Sequence, residues 1–248
     1  MWYEGKLQTW ESVSQQTKDF FQANEHKTLD VAKYWDKELL ESEHPMDILD
    51  DTYLPWIPVK IDVPWEDIYK EANHLLWSSC FTLHRPNSSG WLSLAIHGMS
   101  SVHTNCPEDY NLPDSAESDL SGWTDIAKFC PKTVEWMEQT VKYEKFTRVR
   151  YMAVLPGGWL GPHKDRERTK GVGATNIAIN NPEGCALVME DFGPLPFTPG
   201  SAFKINTGYR HAVWNRSEEP RIHMIFDGDQ GDYFVQKVKD GYASMWNV

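Results

Sequence analysis

Two imidazoles, a carboxylate and a guanidinium follow one another in the last third of the chain: His163 and Asp165 in one His-x-Asp tripeptide, then His211, then Arg221. On an extended segment successive side chains alternate between faces, so His163 and Asp165 leave a strand end in the same direction. A histidine from a distant strand would complete two imidazoles and one carboxylate on one face of a metal ion. The opposite positions would stay open for substrate and oxygen, an arrangement that suits non-haem Fe(II). Arg221 adds a charge that is never lost and a fork that binds carboxylates bidentately. It therefore fits the far end of a five-carbon dicarboxylate chelating the same ion.

The elements that would position these groups read as short strands. Residues Thr147 to Leu155 alternate and are rich in strand formers, and the pattern breaks at Pro156-Gly157-Gly158 before Trp159 leads on to His163. The first two ligands thus fall just after a turn, at the mouth of a sheet. Thr175 to Ile179 reads as a second strand, Asn180 to Gly184 as a turn, and Cys185 to Met189 as its partner strand. A turn at Phe197 to Gly200 precedes a strand from Ser201 to Asn206. His211 to Asn215 and Arg221 to Phe226 flank a polar turn and read as a hairpin. With Asn215 opposite Arg221, the residues His211, Val213, Asn215, Arg221, His223 and Ile225 would share one face, turned toward the metal. Four residues at about 3.3 Å each separate Arg221 from His211 by about 13 Å along the backbone. Short strands punctuated by Gly and Pro favour an antiparallel sandwich or barrel.

Taken together, Val154 to Gly158, His163 to Asp165, Ile177 to Pro182, His211 to Asn215 and Arg221 to Asp227 resemble the aspartyl/asparaginyl β-hydroxylase family over residues 147 to 229. The resemblance implies a mainly β protein with flanking helices, built on a double-stranded β-helix (jelly-roll, cupin-like). It implies Fe(II) and 2-oxoglutarate as cofactors, with His163, Asp165 and His211 as the iron ligands and Arg221 on the distal carboxylate. Many relatives carry basic residues on the strand after the first ligands, where this chain has Ala174-Thr175-Asn176. Asn176 is then the candidate co-substrate contact there, and Val213 the candidate on the inner wall. The implied reaction is hydroxylation of an unactivated C–H bond of an amino-acid side chain, Asp-, Asn- or Pro-like, in a peptide or free. It consumes O2 and releases succinate and CO2. Two other readings stand beside it: a small-metabolite oxygenase, and a non-enzymatic cupin-like module that binds a metal or ligand. Arg85, Arg148, Arg150 and His97 are candidates for meeting a substrate carboxylate.

The rest of the chain bounds these readings. At 248 residues and 40% hydrophobic, one oxygenase domain over 1–248 is expected. Within it, residues 1–146 would be a helical and mixed elaboration, 147–229 the metal-binding core, and 230–248 a tail. Apolar spacing suggests helical stripes at Leu7 to Asn24, Thr28 to Leu40, Trp65 to Trp77 and Thr124 to Lys145, and a strand from Trp91 to His97. The prolines between His44 and Pro64 mark an extended connector. The polar run Met99 to Gly122 reads as a lid over the site. A net charge of −12 argues against a nucleic-acid partner, because phosphate affinity rests on Lys and Arg. Cys80, Cys106, Cys130 and Cys185 form no Cys-x-x-Cys pair, which sets aside zinc-ribbon and thioredoxin chemistry. With no signal-like start and no long apolar run, a soluble cytoplasmic protein without membrane contact is expected.

Overall fold

The computed structural model of the chain describes residues 11, 13–41, 53–84, 89–105, 107–113, 115–165 and 174–246. Its strands are β1 (Trp56–Pro58), β2 (Thr82–Leu83), β3 (Ser89–Gly98), β4 (Gly122–Trp123), β5 (Lys145–His163), β6 (Thr175–Ala178), β7 (Cys185–Met189), β8 (Gly193–Pro194), β9 (Ala202–Ile205), β10 (His211–Asn215) and β11 (Arg221–Asp229). The helices are α1 (Gln15–Asn24), α2 (Trp65–Trp77), α3 (Ala116–Leu120), α4 (Pro131–Trp136) and α5 (Asp232–Ser244).

All strand pairs are antiparallel, in the order β1-β9-β6-β11-β5-β10-β7-β8, with β3 on the other edge of β5 and holding β2 and β4. The long strand β5 organises the whole. Its first part pairs with β11, from Arg221 opposite Val154 to Asp229 opposite Lys145. Its last part pairs with β10, from Trp214 opposite Trp159 to His211 opposite His163. Between the two, Pro156-Gly157-Gly158 forms a corner inside the strand and not the break expected from the sequence. Gly157 takes φ +72°. A Cβ on Gly158 would lie 2.8 Å from the carbonyl oxygens of both Leu155 and Ser89, so only glycine lets three backbone segments meet there.

Two expected pairings do not form. β10 and β11 are not a hairpin: both run antiparallel to β5, one after the other, each on its own part of that strand. Likewise β7 is not the partner of β6, since β6 lies between β11 and β9 and β7 between β10 and β8. After β6, β8, β9 and β10 the chain crosses to the opposite half of a sheet that curls on itself, the double-stranded β-helix arrangement.

Side-chain parity confirms the curl. Trp56, Ala178, Phe203 and Ile205 from one half pack with Leu187, Met189 and Val213 from the other in a single inner cluster. The alternate residues Ile177, Ala202, Ile222, Met224 and Phe226 face outward, against Ile68, Ala72, Leu75 and Leu76 of α2 and Phe234, Val238 and Tyr242 of α5. On the other half Val188, Ala212 and Trp214 pack against Phe20 and Phe21 of α1. Burying such side chains at about 25 cal/mol per Å² is what holds helices to a sheet that their own propensity would not keep in place.

Helix α2 covers the expected Trp65 to Trp77, with Glu66 and Asp67 in its first turn favouring the positive end of the helix dipole. Helix α1 starts only at Gln15, where the Ser14 hydroxyl accepts from the Thr17 N–H at 3.2 Å; residues 7–10 and 12 of that stripe lie outside the described residues. The stripe Thr28 to Leu40 forms only short 3-10 turns, Val31–Tyr34 and Glu38–Glu41. The Thr124 to Lys145 stripe shortens to α4 and a π turn at Met137–Val141, closed by Lys142 in the left-handed region. Helix α5 occupies the chain after β11 and buries Phe234, Val238, Gly241 and Tyr242. A Cβ at Gly241 would overlap the Pro58 carbonyl, so glycine is what lets α5 rest on β1.

Candidate active site

Register brings the two imidazoles together. His211 pairs with His163 across β10 and β5, with ring centroids 4.3 Å apart. Asp165, just past the end of β5, is tied back by its N–H to the Thr207 carbonyl at 3.1 Å. Its carboxylate lies 3.3 Å from His163 Nε2 and 3.9 Å from His211 Nε2. One ligand atom from each of the three residues falls within 4.8 Å of the others.

Both rings are held in one tautomer. His163 Nδ1 lies 2.9 Å from the Gly161 carbonyl and His211 Nδ1 lies 3.0 Å from the Tyr209 carbonyl. A carbonyl only accepts, so each Nδ1 carries the proton and each Nε2 turns a lone pair toward Asp165. Two neutral imidazole lone pairs and a carboxylate converging on one point form a divalent-cation donor set, with the outer hydrogen bonds that orient such ligands already made. The residues fit Fe(II) by this test.

Arg221 is buried at the corner end of the same interior, 4% exposed. Its Nε donates to Asn181 Oδ1 at 3.3 Å, its Nη2 lies 3.2 Å from His223 Nδ1, and its guanidinium carbon sits 5.6 Å from the centre of the Phe197 ring. Burial pulls the guanidinium down to about 10, which leaves it charged at neutral pH. Among the described residues no carboxylate forms an ion pair with it. His223 is held neutral first by burial and then by Arg221, well below the ordinary imidazole value. Asn176 is buried and its side-chain Oδ1 lies 2.6 Å from His223 Nδ1. Val213 is buried in the inner wall beside Val154 and Leu187. Asn181 is a site residue for which sequence reading named no role; His223 was placed on the face turned toward the metal, two residues beyond Arg221, without a co-substrate role.

A cleft of about 780 Å³ opens beside His163. One wall is β5 from Trp159 to His163, and the other is Thr82 to His84 with Val102, Thr104, Asn105, Asp109 and Tyr110. The polar segment expected to act as a lid therefore does wall the cleft, through a 3-10 turn at Pro107–Tyr110. Of the residues considered for a substrate carboxylate, Arg148 and Arg150 pair with Asp227 at 3.4 and 3.7 Å, and Arg150 also donates to the Thr104 carbonyl at 2.7 Å. His97 packs edge-on to Trp123, and burial lowers its pKa. Arg85 lies outside the described residues.

Several solved structures are similar in shape. A prolyl-4-hydroxylase from Pseudomonas putida is 12% identical with a TM-score of 0.42, covering 76% of this chain and 100% of that one. A prolyl hydroxylase from Trichoplax adhaerens, solved with a hypoxia-inducible-factor peptide fragment, is 11% identical with a TM-score of 0.43, covering 84% and 97%. HygX from Streptomyces hygroscopicus, solved with nickel, 2-oxoglutarate and hygromycin B, is 10% identical with a TM-score of 0.40, covering 77% and 86%. The search of curated proteins returns no match. The family model for aspartyl/asparaginyl β-hydroxylases matches residues 64–230, well over half of the chain and the whole of the site. The chain belongs to the aspartyl/asparaginyl β-hydroxylase family and is an Fe(II)- and 2-oxoglutarate-dependent dioxygenase.

Proposed function

We propose that His163, Asp165 and His211 hold the iron, that Arg221 takes the distal carboxylate of 2-oxoglutarate, and that the enzyme hydroxylates a C–H bond of an amino-acid side chain presented in the cleft. The observation that carries this is the pair of fixed tautomers: Gly161 and Tyr209 set both Nε2 lone pairs on one point beside Asp165. Bound iron and 2-oxoglutarate supply the oxidising chemistry, with succinate and CO2 as by-products. The protein's part is to orient and to exclude water. Val213, Leu187, Met189 and Phe197 make the wall between the ligands and Arg221 apolar, so a carboxylate entering there loses water and gains a buried cation.

The cleft favours a side chain carried by a peptide over a free amino acid. At about 780 Å³ it lies in the upper part of the range for small-molecule pockets, and Leu83 and Val102 on its walls are 46% and 48% exposed. A free amino acid would leave most of that volume to water. Val213 completes the co-substrate wall, and Asn176 supports it from behind through its contact with His223. The chain acts as a single domain in this reading, and its charge of −12 speaks against nucleic acid as substrate. Free thiols at Cys80, Cys130 and Cys185 suit the reducing cytoplasm. Among the described residues no helix is long and apolar enough to cross a membrane.

Succinate formation by the iron-loaded enzyme, screened against peptides and free amino acids, tests the assignment. Turnover coupled to hydroxylation of a peptide side chain is expected. Coupling only to free amino acids or to a non-amino-acid metabolite would overturn the substrate class.

A further inference from the structure

The inner face of β11 holds one polar atom that the fold leaves without a partner. His223 is 1% exposed, and its Nε2 is buried with no hydrogen bond among the described residues. Leaving a buried donor or acceptor unsatisfied is destabilising, so such a group is retained where something else completes it.

The neighbours of Nδ1 fix what Nε2 offers. Arg221 Nη2 lies 3.2 Å from Nδ1, and a guanidinium can only donate. Nδ1 therefore accepts, and the proton of the neutral ring sits on Nε2. Asn176 lies 2.6 Å from the same nitrogen, and the two ends of its amide are the same size. With Oδ1 at this place Nδ1 would have to donate while Arg221 also donates to it; turned end for end, the amide presents its NH2 group instead, and Arg221 and Asn176 then share the single Nδ1 lone pair. The Phe197 ring packs edge-to-face against the imidazole at 4.6 Å and offers no oxygen. Nε2 then carries an N–H that points away from Arg221.

Strand register says which way that is. Arg221 stands opposite Val154, next to the corner of β5, while His223 stands opposite Met152, one full pleat further from the corner. On the facing half of the curl, β10 leads from Asn215 near the corner back to His211 at the iron-ligand end. His223 is thus on the iron side of Arg221, on the same inward face.

We propose, building on the co-substrate reading above, that the Nε2–H of His223 is a binding group for 2-oxoglutarate, donating to an oxygen of its metal-side carboxylate. A neutral donor takes the role of a second cation. Asn176 acts through His223 as a positioning residue and does not touch the co-substrate. The arrangement places one charged and one neutral donor along a five-carbon dicarboxylate, so the site selects a 2-oxo diacid by Arg221 and aligns its 2-oxo end by His223.

Calorimetric titration of 2-oxoglutarate into the Mn(II)-loaded protein without oxygen tests this apart from turnover. His223→Phe keeps a flat ring and removes the N–H, and it is expected to weaken 2-oxoglutarate roughly 10- to 100-fold while Mn(II) affinity stays unchanged. His223→Gln, whose amide can restore a donor, is expected to recover most of the loss. Long-range nitrogen–proton NMR of the imidazoles in the wild-type protein gives a readout that needs no variant. The His223 proton should sit on Nε2, and its signal should move when 2-oxoglutarate is added. A proton on Nδ1, or His223→Phe binding with wild-type affinity while Arg221→Ala loses it, would overturn the role of His223 alone. Absence of 2-oxoglutarate binding to the Mn(II)-loaded wild type would overturn the co-substrate reading on which it rests.

Discussion

His211 stands in register opposite His163, and each ring gives its Nδ1 proton to the carbonyl two residues before it. The same backbone that pairs the strands thereby sets the tautomer of both rings, so the site is prepared before any ion arrives. Replacing either histidine by alanine removes one of three donors and should abolish stable iron retention. Metal analysis after gel filtration checks this, and stoichiometric iron in His163→Ala or His211→Ala would contradict the assignment. Folding should survive in both, because each side chain lies at the end of its strand.

Arg221 should govern co-substrate affinity and leave iron alone. Its buried charge meets no carboxylate among the described residues, so a dicarboxylate that reaches it gains a desolvated ion pair. Arg221→Ala is expected to raise the 2-oxoglutarate requirement by about two orders of magnitude, the range for losing a partner of a buried charged hydrogen bond. Arg221→Lys should rescue little, since an ammonium cannot reproduce the fork. An unchanged 2-oxoglutarate dependence in either variant would show Arg221 to be structural.

Asn215 holds the corner together. Its Nδ2 donates to the Val154 carbonyl at 2.8 Å and to the Glu219 carbonyl at 2.7 Å, and its Oδ1 accepts from the Ser217 N–H at 2.9 Å. It is fully buried, so Asn215→Ala strands several backbone groups at once. A loss of about 2–4 kcal/mol in urea unfolding is expected. Weaker 2-oxoglutarate binding should accompany it, because Val154 is the register partner of Arg221. A change of under ~0.5 kcal/mol would mean that water replaces these bonds without cost.

How far the chain announces this arrangement depends on the distance between the parts. The residues of β7, β10 and α2 are bounded by Gly, Pro and polar turns or by a clear helical stripe, and the sequence reading matched their ends. Parity along β10 and β11 was legible too, since Val213 and His223 do face inward. Pairing was not legible. Arg216 to Pro220 looks like a hairpin turn, yet it lets the chain step from one half of the curl to the other while still following β5. Nothing local distinguishes those outcomes, because the choice is made by outward faces meeting α1 on one side and α2 and α5 on the other. The His223 network was hidden for the same reason, as its Asn176 partner lies 47 residues away in sequence.

Stability should fall on mild acidification. Burial and the adjacent Arg221 depress the pKa of His223, and burial depresses that of His97, so in the folded protein both stay neutral as the pH drops below about 6.5. In the unfolded chain both take up protons there. The unfolded state binds more protons, so their contribution is fully present above pH 6.5 and is lost as pH falls, at up to about 1.4 kcal/mol per pH unit for each group. His223→Phe should flatten the pH dependence of urea unfolding between pH 6.5 and 5 by about one such group. A slope equal to that of the wild type would show that His223 is protonated in the fold.

The most direct measurement is a crystal structure of the protein with Mn(II) and an inert 2-oxoglutarate analogue, obtained without oxygen. A single ion bound by His163 Nε2, His211 Nε2 and the Asp165 carboxylate is expected, with the analogue chelating its open face and ending on Arg221. An ion held by other residues, or an analogue whose distal carboxylate turns away from Arg221, would contradict the account.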